Sequence, residues 1–353
     1  MSVETGARAT RAADSAAAPQ PGTPGADSAA VAQPGTPAAD DKGAPQPDRL
    51  PPLIVLCGAT ATGKTRLSLS LAEAIPGTEI VSADSRQVYR GMDIGTAKVG
   101  APERSRVPHH GLDLVDPDEA FTAADFRRHA LEALRGIAER GGLAVLAGGT
   151  GLYIRAVARG MALEDTGRDV AIRAELEGRL ATEGLPSLAN ELRRRAPGLA
   201  AATDLANPRR VVRALERAMV AGDRPPPVPA GYPAPVLWLG VSTNHDLHEA
   251  WIVERASWQF ANGLLDEADG LRRRYPENLP AFSALGYREA FDVLAGRSGP
   301  DVAIQRTVAR TRAYSKRQRT WFRAEPEIIW LEAGEGIEDA ARPLVVAFLE
   351  GTP

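Results

Sequence analysis

Cysteine is almost missing from this chain: its 353 residues include one, Cys57. A single thiol excludes an internal disulfide and any metal site built from several cysteines. Placed in the apolar run LIVLC, Cys57 reads as a buried strand residue rather than a reactive thiol. Long apolar runs are missing as well. Nothing approaches the ~18 consecutive apolar residues of a membrane span. The N-terminus has neither the apolar core of a secretory signal nor the acid-poor character of a transit peptide. A soluble, cytoplasmic protein without a membrane partner is expected. A large excess of either charge is also missing: 42 lysines and arginines meet 45 acidic residues, for a net charge of -3. Averages conceal local patches, so charge is read segment by segment.

The first fifty residues are almost empty of large apolar side chains. They repeat PQPGTPGADSAA and AQPGTPAADD, a composition that cannot offset the entropy of ordering. Residues 1–50 are expected to be a disordered tail.

Beyond Leu53, short apolar runs alternate with helix-spaced segments. LIVLCG, EIVSADS and LAVLAGGTG read as buried strands, separated by amphipathic stretches such as AADFRRHALEALRGIAERG. Such alternation implies an α/β fold in which helices cover both faces of a mostly parallel sheet. Past Met161 the text changes to VAIRAELEGRLATEG, SLANELRRRAP and RRVVRALERAMVAG, with no strand-like run. The proline-rich DRPPPVPAGYPAP follows, then strand character returns in VLWLGVS and, near the end, IIWLEA. The expected organisation is a P-loop-type core of residues 51–161 and 231–353, interrupted by a helical insertion of residues 162–230.

The phosphate-binding pattern G-x-x-x-x-G-K-[ST] is met by GATATGKT: Gly58, Ala59, Thr60, Ala61, Thr62, Gly63, Lys64 and Thr65. A strand precedes it and a helix follows, which is the context the motif requires. Its backbone N–H groups and the helix N-terminus attract phosphate oxygens, Lys64 adds a point charge, and the Thr65 hydroxyl is the expected ligand for Mg²⁺. The pattern specifies a polyphosphate without specifying ATP. P-loop ATPases place an aspartate at the end of a neighbouring strand, whereas LAVLAGGTG ends in glycines and Thr150. Asp84, ending EIVSADS, is the acidic group beside the loop, open to a role as metal ligand, cap or base.

GATATGKT, SADSRQVYRGMDIGTAK, VPHHGLDLVDP, FTAADFRRHA, GGTGLYIRA, NPRRVVRALE, LGYREA and SKRQRTWF occur in this order and resemble the tRNA dimethylallyltransferases, also called tRNA isopentenyltransferases. The resemblance spans nearly all of Leu53 to Trp330. It implies transfer of a dimethylallyl group from dimethylallyl diphosphate to N6 of adenosine 37 in tRNAs that read codons starting with U. By resemblance Asp84 is the base, Thr150 lies beside the reacting atoms and Arg255 grips the diphosphate. Ser85, Arg86 and Gln87 match contacts to tRNA, as do Asp84 itself, Arg173, Arg209, Arg210, Arg213 and the Gly286, Tyr287, Arg288 segment. The partners implied are the tRNA anticodon stem-loop and dimethylallyl diphosphate, with Mg²⁺ as cofactor and a monomer as the expected state.

The basic run RTVARTRAYSKRQRTWFR, residues 306 to 323, interleaves Tyr314, Trp321 and Phe322 with arginine and lysine. It suits either phosphate contacts and base stacking or a solvated helix with a packed face. Two positions depart from the family pattern: Trp251 replaces an arginine four residues before Arg255, and Asn207 replaces an aspartate before the proline of NPRR. Two rivals stand beside this reading, a P-loop small-molecule or nucleoside kinase and an RNA-binding protein with a vestigial loop.

Overall fold

The computed structural model describes residues 50–163, 169–225 and 227–351; the expected tail lies outside them except for its last residue, Leu50, which is buried in the core. The chain order is β1 (Leu53–Gly58), α1 (Lys64–Ala74), β2 (Thr78–Ala83), α2 (Ala101–Arg106), β3 (His109–His110), α3 (Ala123–Glu139), β4 (Leu143–Gly148) and α4 (Gly151–Ala158). Four helices follow without a strand: α5 (Val170–Glu183), α6 (Leu185–Arg195), α7 (Pro197–Ala201) and α8 (Pro208–Ala221). Then come β5 (Val236–Ser242), α9 (His245–Ala261), α10 (Leu264–Arg272), α11 (Tyr287–Leu294), α12 (Pro300–Phe322), β6 (Ile329–Glu332) and α13 (Ile337–Glu350), with a 3₁₀ turn at Pro280–Ser283.

The six strands form one sheet in the order β3-β2-β4-β1-β5-β6, every pairing parallel. β1 is central, and its near-continuous apolar text has a simple cause: both faces are covered. Leu53, Val55 and Cys57 join one apolar cluster, with Phe126, Leu134, Ile154 and Phe291. Ile54 and Leu56 point the other way, into a cluster with Leu67, Leu71, Ile337 and Val345. Period-2 alternation thus feeds two cores, and no polar position is tolerated on either. Burial pushes the Cys57 thiol up to about 12, so it is an inert hydrophobe. The two-residue strand β3 is the element that sequence periodicity misses, because His109 and His110 carry no apolar signal.

α5 to α8 pack around their own apolar cluster, including Leu176, Leu188, Leu192, Leu199, Val211 and Leu215. α8 begins at Pro208 with Asn207 as its cap, whose side chain accepts the Arg210 N–H at 3.3 Å. The departure from aspartate therefore leaves the cap intact. Glu216 is fully buried in this group. It accepts the Asp169 backbone N–H at 2.9 Å and the Arg173 guanidinium, with Arg213 at 3.8 Å.

Candidate active site

The phosphate loop runs from the C-terminal end of β1 into α1. Gly63 caps α1 at a φ of 86°, in the left-handed region that favours glycine. No side chain caps the helix and no acid lies in its first turn, so its orphan N–H groups face an incoming anion without competition. Lys64 folds back onto the Ala59 carbonyl. Its ammonium is held down to about 8, first by burial and then by Arg255, with Asp84 opposing. Arg255 donates to Thr60 Oγ1 at 3.2 Å and to the Thr96 carbonyl at 3.4 Å. Burial also lowers its guanidinium, with Asp84 as the opposing charge. Two cations therefore face one carboxylate, a charge balance that calls for an anion.

Two cavities open here. The smaller, about 240 Å³, is lined by the phosphate loop from Thr60 to Thr65 and by Ser82, His109, Gly148 and Gly149. The larger, about 570 Å³, is lined by Ser85, Arg86, Arg209, Ser283, Leu285, Tyr314 and Arg317. Both are bounded by Thr60, Asp84, Thr96 and Arg255. Asp84 Oδ1 accepts the Arg86 N–H at 2.8 Å; no hydrogen bond or ion pair holds Oδ2 among the described residues. Asp84 lies at the junction of the two chambers.

The larger cavity is cationic. Arg310 is neutralised by Glu289 at 2.6 Å, but Arg86, Arg209 and Arg317 have no ion-pair partner among the described residues. Arg86 donates to the Pro280 carbonyl at 3.0 Å, and Arg317 lies 5.7 Å from the Tyr314 ring centroid. Arg209 comes from α8, so the helical group closes one side of this chamber.

Several expected contacts are redistributed. Thr150 lines neither cavity; its hydroxyl accepts the Ser85 N–H at 3.0 Å and is hydrogen-bonded to Tyr314. Gln87 lines the smaller cavity, its amide accepting from Ser82 at 2.8 Å and donating to the Thr96 and Ala97 carbonyls. Arg173 is ion-paired with Glu216 and partly exposed. Gly286 and Tyr287, matched by resemblance to tRNA contacts, are buried. The Tyr287 phenol donates to Glu267 at 2.6 Å, and the same carboxylate takes the N–H groups of Asp93, Ile94 and Gly95. This segment instead reaches the chamber through Ser283 to Leu285, while Arg288 is exposed. Arg210 is exposed and lies 3.7 Å from Asp204. Trp251 supplies no charge: it is half-buried and packs against the apolar cluster that includes Ile54, Leu56 and Ile337.

Sequence reasoning misses Gln318, His248, Gln259 and Glu267. Gln318 bridges the Thr60 N–H and the Gly149 carbonyl, each at 2.8 Å. Gln259 donates to the Ile94 and Gly95 carbonyls. A signal for Gln318 is present: Thr307, Thr311, Ser315, Gln318 and Phe322 form an uncharged stripe at helical spacing inside a basic run, and all five are buried.

Among the described residues no group of three or more histidine, cysteine or acidic side chains could hold a metal. A hard cation bound mainly by substrate phosphates and water needs no such cage. Thr65 and Asp84 put oxygen donors on the smaller cavity, a donor set that fits Mg²⁺.

The model of the IPP transferase family matches residues 87–325. It begins after the phosphate loop, whose reading therefore rests on its own geometry. The tRNA dimethylallyltransferase of Geobacter metallireducens is 46% identical over 287 residues, covering 79% of this chain and 92% of that protein. The tRNA dimethylallyltransferase of Methylococcus capsulatus is 43% identical over 312 residues, covering 85% and 98%. Among solved structures, the tRNA isopentenylpyrophosphate transferase of Bacillus halodurans aligns with a TM-score of 0.63 at 37% identity, covering 85% of this chain and 97% of that one.

Proposed function

The chain belongs to the IPP transferase family, and from that premise we propose that it transfers a dimethylallyl group from dimethylallyl diphosphate to tRNA. The acceptor is N6 of adenosine 37, beside the anticodon, in tRNAs reading codons that start with U. The supporting observation is the pair of cavities bounded in common by Asp84 and Arg255. One has the donors for a diphosphate and the other has unpaired arginines beside an aromatic ring.

In the reaction, the adenine N6 lone pair attacks C1 of the allyl group. The C1–O bond breaks, diphosphate departs and N6 gives up a proton. Negative charge accumulates on the leaving oxygens, where Lys64, Arg255 and the N–H groups of the loop and α1 stabilise it. Asp84 Oδ2 takes the proton, which compensates for a nucleophile whose lone pair is delocalised into its ring. Thr65 would hold Mg²⁺, and the ion, when bound, would neutralise charge on the leaving group. Thr150 and Tyr314 hold the Ser85 end of the loop that carries Asp84.

On the RNA side, adenine must leave its stack, at a cost of a few kcal/mol (roughly 2–4). Arg86, Arg209 and Arg317 offer the phosphate contacts that offset this cost. No described helix is long and apolar enough to cross a membrane. A P-loop kinase would use the same loop, but the relatives are prenyltransferases by name. The test is incubation with dimethylallyl diphosphate, Mg²⁺ and unmodified tRNA bearing adenosines at 36 and 37, followed by nucleoside mass analysis. Gain of one C5H8 unit on adenosine is expected; ATP hydrolysis with unmodified tRNA would sink the proposal.

A further inference from the structure

Helix α12 presents Tyr314 and Arg317 to the larger cavity and, one residue on, turns Gln318 to the smaller. We propose that Gln318 is a positioning residue for the diphosphate: it sets the conformation of the phosphate loop before substrate arrives and ties that loop to the helix facing RNA. The inference rests on the prenyl-transfer reading given above.

The carboxamide makes two bonds of opposite sense. Its oxygen accepts the Thr60 N–H and its nitrogen donates to the Gly149 carbonyl, both at 2.8 Å. A carboxylate cannot donate and a thioether does neither well, so an amide suits this place. Gly149 completes the fit, because a Cβ there would lie 2.2 Å from Gln318 Nε2. Thr60 is held on its other sides by α9. Its carbonyl accepts from His248 Nε2 at 2.9 Å, and its hydroxyl from Arg255 at 3.2 Å. The His248 tautomer follows from Arg319, whose guanidinium can only donate and meets Nδ1 at 3.3 Å. Every polar group of Thr60 thus has a protein partner. The next residue, Ala61, holds a φ of 58°, a conformation that an L residue keeps only when its surroundings fix it. The clamp on Thr60 fixes it.

The test uses Gln318→Met, which keeps the length of the side chain and removes the paired amide bonds, with Gln318→Glu as the variant that keeps only the acceptor. Losing two buried hydrogen bonds at the loop should raise the KM for dimethylallyl diphosphate about 10-fold. The kcat should change less than about 3-fold, and the tRNA Kd should hold, because neither the base nor the RNA contacts are touched. In the ligand-free native protein, the Thr60 amide should exchange slowly with deuterium, and in Gln318→Met quickly. An unchanged KM, or a parallel loss of tRNA affinity, overturns the proposal. If neither variant folds, rapid Thr60 exchange in the native protein overturns it and slow exchange supports it. Failure of the native protein to prenylate tRNA defeats the functional reading instead, while exchange at Thr60 and binding of dimethylallyl diphosphate alone still report on the clamp.

Discussion

Lys64 gives the sharpest quantitative test. Its ammonium is held down to about 8 in the ligand-free protein, because burial disfavours the charge and Arg255 repels it. Only the protonated form pairs with a diphosphate. At pH 7 about nine-tenths of the molecules carry that proton, and at pH 9 about one-tenth do. The affinity for dimethylallyl diphosphate without tRNA should therefore fall about 10-fold between pH 7 and 9, while an unshifted lysine would cost almost nothing over that range. Phosphate esters lose their second proton near pH ~6, so ligand ionisation does not counterfeit the trend. Isothermal titration at fixed Mg²⁺ reads it directly, with proton uptake on binding as a second signal from buffers of different ionisation heat. Lys64→Arg, which keeps its charge throughout, should bind more weakly but with a flat profile. A flat profile in the native protein would mean that Lys64 is either not depressed or not required, and the electrostatic account of the smaller cavity would fail.

Asp84→Asn should bind tRNA normally and lose about 10²–10⁴-fold in kcat, measured in single turnovers; normal turnover at saturating tRNA would remove Asp84 from the role of base. Arg209→Ala should weaken tRNA binding and reduce the slope of log K against log salt by about 1, and an unchanged slope would detach α8 from the RNA path. Tyr287→Phe should cost about 1 kcal/mol of stability through the lost bond to Glu267, visible as a lower denaturation midpoint. Its tRNA affinity should stay put, since the ring is buried; a large loss there would restore Tyr287 to the RNA surface.

The sheet was legible because burial on both faces writes itself as uninterrupted apolar text, as in LIVLCG and LAVLAG. The phosphate loop was legible because backbone geometry demands its glycines at fixed spacing. What escaped was contact between distant segments. Nothing local to SKRQRTWF tells that Gln318 crosses 169 residues to meet Gly149. Nothing local to LGYREA tells that Tyr287 turns inward to Glu267. A resemblance carries over which positions matter, but not whether a side chain touches the substrate or the residue that does. Thr150 meets the Ser85 N–H and Tyr287 meets Glu267, while Gln87 lines the smaller cavity.

The solitary thiol has a practical consequence. With its proton held until about pH 12 and no exposed surface, Cys57 leaves only ~10⁻⁵ of its sulfur as thiolate at pH 7. Maleimide or iodoacetamide reagents therefore meet an effectively cysteine-free background. A pair of cysteines introduced on exposed positions of α8 and α12 would carry a donor and acceptor dye without first replacing Cys57. The distance across the larger chamber can then be followed in real time as tRNA enters and leaves, on a phosphate loop whose own strand is untouched.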